Sequence, residues 1–337
     1  MIRVVSALLF IGLSLAGLAT IHALSGGAAP QIDPRLFDLS ALLAIAGLLV
    51  IYFASDGLRL YFVLRTLGER VSLKDLVPLV FINILFSNIT PMATGGGFAQ
   101  IWYLGRSGVS VGSAAAATTI RTVLAMLVIF TAAPTFQFLF AKGRAAEHLS
   151  ERLTNSLSIV IVFYLVGFLI VLLRPMLIAA FIERMLRGAS RLGLLGTERR
   201  DRWRIRVREV MTGFSDGFRT FLTGSRRYAA LSALFTIVFL LALFSFPALL
   251  MALLDYDVDW LAVMGTLSVV TFLMYFAPSP GGAGFSELAF AGLMAGQIAP
   301  EHLVFIVLVW RVLTIYLGMG IGAVFMMRAV KSRAFQP

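Results

Sequence analysis

The sequence predicts an all-α polytopic membrane protein, on three observations. Of its 337 residues, 59% are hydrophobic and only 13% are charged, against roughly 25% charged in soluble domains. The mean hydropathy is +0.93. Apolar runs at 4–24, 40–64, 114–138, 156–173, 229–254 and 303–327 approach the ~20 residues that a helix needs to cross a bilayer. Cysteine is absent, and the three histidines, at 22, 148 and 302, are scattered. No disulfide framework, thiol redox centre, metal site or cofactor follows from that inventory. No P-loop, zinc-protease or nucleophile-elbow motif occurs, which argues against ATP-driven pumping.

The elements follow in order. The run 4–24 lacks a small-residue cleavage site followed by a soluble domain, so it reads as a retained helix. Arg3 puts the N-terminus in the cytoplasm, and the loop 25–38 carries Asp33 and Asp38 against Arg35. Run 40–64 returns to Arg65, Arg70 and Lys74. Run 156–173 ends on a basic segment, Arg174 to Arg227, with thirteen arginines against five acids. Positive charge collects on cytoplasmic loops, and basic juxtamembrane segments attract anionic headgroups. That reading is preferred to a nucleic-acid site. Within the segment, Trp203, Val207, Val210, Phe214 and Phe218 recur at helical spacing among arginines, the pattern of an amphipathic surface helix. Run 229–254 ends at the acidic DYDVD, and run 303–327 ends at Arg328, Lys331 and Arg333. Both termini are therefore expected in the cytoplasm of a bacterial inner membrane.

Two segments remain between these runs. Residues 75–110 start and end on the cytoplasmic side and are interrupted by NITPMATGGGFAQ; residues 260–300 start and end outside and are interrupted by APSPGGAGFSE. Each parity requires a re-entrant or broken hairpin. Irregular backbone at membrane depth is tolerated only inside protein or beside a wet cavity. The breaks align without a gap: PMATGGGFAQ from Pro91 and PSPGGAGFSE from Pro278 share Pro, Gly, Gly and Phe at matching positions, and Gln100 falls on Glu287. An arginine follows within the next run of each half, Arg121 and Arg311. The division expected is two inverted-topology repeats, each of three spanning helices plus a hairpin. Repeat 1–140 has its hairpin around 76–110. Repeat 141–330 has its hairpin around 260–298, with the basic amphipathic loop 174–228 inside it. Inverted repeats with interrupted helices are a signature of secondary transporters, whose site lies near the midplane at the repeat interface.

The candidate substrate-binding residues lie in and around the breaks. Gly95, Gly96 and Gly97, and Gly281, Gly282 and Gly284, permit close backbone approach and positive φ. Their N–H groups at the start of a half-helix suit an anion. Pro280 helps to stop the incoming helix, and Ser279 or Ser286 is placed to cap the next one. Glu287 is expensive at membrane depth, about 2.5–3.5 kcal/mol on insertion scales for comparable acids. Its expected partner is Arg311 or, second, Arg121. Glu287 serves either a structural pair or a headgroup contact. Arg121, near a helix start, either snorkels to the interface or binds phosphate, for which a guanidinium fork is suited. Asp56 and Arg59, three apart on one helical face, form a local pair or contact substrate. Asn88 and Thr90 precede the first break, and Gln100 lies within it. Trp102, Tyr103, Trp260 and Tyr275 read as interfacial anchors.

These residues carry a resemblance. PSPGGAGFSE followed by VWRVLTIYLG resembles the second motif of the lysylphosphatidylglycerol synthase transmembrane-region family, which includes the flippase domain of multiple peptide resistance factor and stand-alone members. NITPMATGGGFAQIWYLGRSGVSVGSAAAATTIRTVL matches its first motif, except that the family often has an acid and an arginine where this chain has Gly97 and Gln100. The resemblance implies a lipid translocase, with Pro280, Gly281, Gly282, Gly284, Glu287 and Arg311 carried over. The family's aminoacyl transferase is a separate soluble domain, and a stand-alone member without it is expected. The expected activity is flippase or scramblase movement of an anionic or aminoacylated phospholipid, or a related lipid-linked headgroup, with no enzymatic step. Membrane lipids are the expected partners; a lipid-synthesising enzyme and a homo-oligomer stay open. The alternative is a secondary transporter for a small anion or organic solute, which the repeat fits equally well.

Overall fold

Runs of apolar residues bounded by turn or capping residues become helices, and no strand occurs among the described residues. The computed structural model describes residues 33–90, 93–140, 175–191, 196–275, 279–294 and 296–331, together with 12, 15–20, 22, 23, 163, 166 and 277. In chain order the helices are α1 (Leu39–Thr66), α2 (Leu73–Asn88), α3 (Thr94–Arg106), α4 (Val111–Phe140), α5 (Pro175–Arg191), α6 (Thr197–Thr223), α7 (Arg226–Leu253), α8 (Trp260–Met274), α9 (Phe285–Met294), α10 (Pro300–Arg311) and α11 (Leu317–Lys331). A π-helical turn, Val312–Tyr316, joins α10 to α11.

Four of the described helices have the length and apolarity to cross a membrane: α1, α4 over Val111–Ala133, α7, and α10 with α11 over Pro300–Val330. The chain is a multi-pass membrane protein. The runs predicted over 4–24 and 156–173 lie largely outside the described residues. α2, α3, α8 and α9 have 16, 13, 15 and 10 residues. At 1.5 Å per residue even the longest is about 24 Å, short of the ~30 Å hydrocarbon layer. Local chemistry sets their ends. Ser72 accepts from Lys74 N–H to cap α2, and Asp259 accepts from Ala262 N–H to cap α8.

The core is a set of helix pairs. α1 lies antiparallel to α7 along most of its length. Tyr52 stacks on Phe239, Phe62 stacks on Phe235, and Arg65 donates to the Tyr228 hydroxyl. α2 packs antiparallel on α11, where Phe81 stacks on Phe325. Glycine sets that approach, because a Cβ on Gly322 would collide with the Phe81 carbonyl and one on Gly318 with Ile84. α8 packs on α4, with Phe130 edge-on to Phe272. The ends differ in charge. Arg65, Tyr228 and Arg106, which donates to Ala329 O, mark a basic end. Asp33, Arg35 and Asp255 meet at the other.

The basic segment 174–228 holds two helices, α5 packed on α6. Gly217 of α6 meets Ala116 of α4 without room for a Cβ, and Phe218 and Phe221 join the apolar cluster of α1 to α4. Trp203 is exposed. The side chains of Val207, Val210 and Phe214 lie outside the described residues.

Candidate functional site

Two apolar helices carry charges that they bury, and both use arginine to do so. On α1, Arg59 Nε donates to Asp56 Oδ1 across 2.8 Å, one turn away. From α4, Arg121 Nη2 donates to the same oxygen across 2.7 Å. Asp56, Arg59 and Arg121 are 3%, 5% and 6% exposed, so water does not solvate them. The Arg59 guanidinium also lies over the Phe239 ring of α7, 3.8 Å from its centroid, a cation–π contact that fixes its plane. Arg121 therefore does not snorkel. The helix starts at Val111, which puts Arg121 nearly three turns inside it and turned toward α1.

The second cluster belongs to α9 and α10. Arg311 Nε lies 3.0 Å from Glu287 Oε1, and both residues are 1% exposed. Arg311 Nη2 donates to Gly281 O across 3.2 Å. Ser286 lies 2.7 Å from Glu287 Oε2 and 3.0 Å from Gly282 O. It is the second residue of α9 and ties the acid to the loop instead of capping the helix. Gly281, Gly282 and Gly284 have φ of 58°, 64° and 78°, left-handed values that suit glycine. Gly284 also meets Gly17, within the helical residues 15–20, so closely that a Cβ on Gly17 would overlap its Cα. Pro280 is buried beside these glycines. The arginine is followed at once by the π turn, where the Thr314 hydroxyl donates to Trp310 O. Such single-turn π-bulges are frequent at functional sites.

Between α8 and α9, Tyr275 lies edge-on to Phe130 of α4, and Gly281 receives Arg311. Tyr275 is half-buried, with one face against α4. Several buried donors have no hydrogen-bond partner among the described residues: Arg59 Nη1, Arg121 Nε, Ser279 Oγ, Trp310 Nε1 and Arg311 Nη1. Buried donors normally find partners.

The first break is different. Pro91 and Met92 lie outside the described residues. Thr90 accepts from Gly95 N–H at 2.8 Å and donates to Phe86 O at 2.6 Å, closing the apex between α2 and α3. Asn88 donates to Ile84 O in its own helix. Gly96 is buried against Ser87 and Asn83, with no space for a Cβ, whereas nothing lies within 4 Å of one built on Gly97. Gln100 is buried, one turn after Gly96. The first break thus supplies packing glycines and one buried amide, and no charge. Trp102 stacks edge-on with Tyr103 and under Arg106 near the basic end, and Trp260 is partly exposed at the start of α8.

Two signals were not evident from sequence: the joining of Arg121 to Asp56, and the π turn after Arg311. The first is a contact between residues 65 apart. The second is a one-residue excess within an otherwise regular apolar helix, which composition does not reveal.

Comparison with known proteins agrees with this architecture. The chain is similar to a UPF0104 membrane protein of Archaeoglobus fulgidus, 23% identical over 285 residues that cover 84% of this chain and 85% of the relative. The family described as lysylphosphatidylglycerol synthase TM region matches residues 1–322. The match covers both hairpins, both buried charge clusters, three of the four membrane-length helices in full and the fourth as far as residue 322, so the chain belongs to the lysylphosphatidylglycerol synthase transmembrane-region family.

Proposed function

We propose that this protein is a lipid translocase, a flippase or scramblase that moves an anionic or aminoacylated phospholipid, or a related lipid-linked headgroup, across a bacterial inner membrane. The observation that carries the reading is the pair of buried arginine–carboxylate clusters, Asp56 with Arg59 and Arg121 and Glu287 with Arg311, within a bundle of membrane-length helices. A polar headgroup has partners there, while its acyl tails stay among apolar side chains. In this reading the chain performs no covalent chemistry, and its partners are membrane lipids.

The division into repeats 1–140 and 141–330 has support from packing. α2 of the first hairpin packs on α11, and α8 of the second packs on α4, while α1 and α7 pair with each other. That reciprocity is what two related halves with exchanged terminal helices would produce. With the positive-inside rule, the end marked by Arg65, Arg106 and the Tyr228 region is cytoplasmic, and so are both termini.

The test is reconstitution in liposomes with fluorescent lipids of several headgroups. Faster exchange between leaflets than in protein-free liposomes is expected for at least one headgroup. Rates equal to the protein-free control for every headgroup would overturn the reading.

A further inference from the structure

The charges inside the bundle do not cancel. Glu287 faces one guanidinium, Arg311, but Asp56 faces two, Arg59 and Arg121. Among the described residues no second carboxylate pairs with Arg59 or Arg121. Every other Asp and Glu lies outside the apolar runs, including 4–24 and 156–173. One positive charge is left over, on the α1–α4 side.

The left-over charge is held in place. Phe239 fixes the plane of Arg59 without neutralising it. Arg59 Nη1 and Arg121 Nε are buried with no hydrogen-bond partner among the described residues. An unbalanced guanidinium away from water is costly, and a chain that retains one draws its counter-anion from elsewhere. Two guanidiniums with N–H groups to spare match the oxygens of a phosphate group.

We propose that Asp56, Arg59 and Arg121 form a phosphate subsite that takes one monoanionic phosphodiester, bringing the cluster to neutrality, while the balanced Glu287–Arg311 pair takes no net charge. The lipid-translocase reading supplies the source of that phosphodiester, and the inference rests on it to that extent. Asp56 is a positioning residue: it holds both arginines by one oxygen and leaves their outer N–H groups for the ligand.

The test uses the full chain purified in a phosphate-free maltoside detergent, with thermal unfolding followed as ligand is titrated. The probes are dihexanoylphosphatidylglycerol, inorganic phosphate, and dihexanoylglycerol as the control without phosphate. The phosphatidylglycerol is expected to raise the unfolding midpoint of the wild type and the control is not. Arg121→Gln removes the left-over charge and is expected to weaken that binding by about tenfold or more, the loss of a charge-assisted hydrogen bond. Equal stabilisation by inorganic phosphate would support the subsite but assign it to a free anion, sinking the lipid reading. No stabilisation of the wild type by either anion, or undiminished affinity in Arg121→Gln, would overturn the subsite. Lipid movement by the wild type in liposomes would then leave the translocase reading standing.

Discussion

Arg121 Nη2 and Asp56 Oδ1 lie 2.7 Å apart, and the bond ties the middle of α4 to the middle of α1. Asp56 already binds Arg59 on its own helix, so a single carboxylate fixes two cations and two helices. Asp56→Asn leaves two guanidiniums without a counter-charge. A loss of about 3–5 kcal/mol is expected, the cost of breaking a buried pair from one side. Adding Arg121→Gln to Asp56→Asn removes one stranded charge and is expected to recover part of the loss. Unfolding midpoints in detergent, compared across the four members of the cycle, check both statements.

The two central glycines of the first break are expected to respond differently to one methyl group. Gly96→Ala drives a Cβ into Ser87 and Asn83, whereas Gly97→Ala meets nothing within 4 Å. Overpacking of this kind costs about 1–3 kcal/mol, so Gly96→Ala should lower the melting temperature clearly and Gly97→Ala should leave it close to wild type. Equal behaviour of the two variants would contradict the hairpin packing described.

Much of this was legible before any coordinates. The helices α1, α4, α7 and α10–α11 follow from apolar length alone, and the breaks follow from Pro and Gly within apolar sequence. The pairing of Glu287 with Arg311 was expected because each is a lone charge in an apolar run. Arg121 was harder. Its distance from the predicted helix start suggested an interface, and only the packing of α4 on α1 shows that it meets Asp56. Which helix a buried polar side chain faces depends on tertiary contacts, and local pattern does not encode them.

Away from the core, Asp33, Arg35 and Asp255 bracket the acidic end. Arg35 donates to both acids, at 2.6 Å to Asp255, and holds the Asp33 carboxyl below its usual 3.8, at about 2. A carboxyl so lowered contributes stability above its ordinary range and loses it as pH falls through the lowered value. Wild type and Arg35→Ala should therefore differ in thermal stability at neutral pH by a small margin, as for exposed pairs. That margin should shrink as pH falls from about 4 to 2 and close below about 2. A margin that does not shrink across that range would contradict the assignment.

The most direct test of the central claim measures lipid movement between leaflets by Arg311→Ala and Glu287→Ala beside the wild type, each confirmed as folded by its elution profile and circular dichroism. If the buried clusters form the translocation site, the wild type accelerates movement of at least one phospholipid, and both variants return the rate to that of empty liposomes. Folded variants that move lipid at the wild-type rate would contradict it.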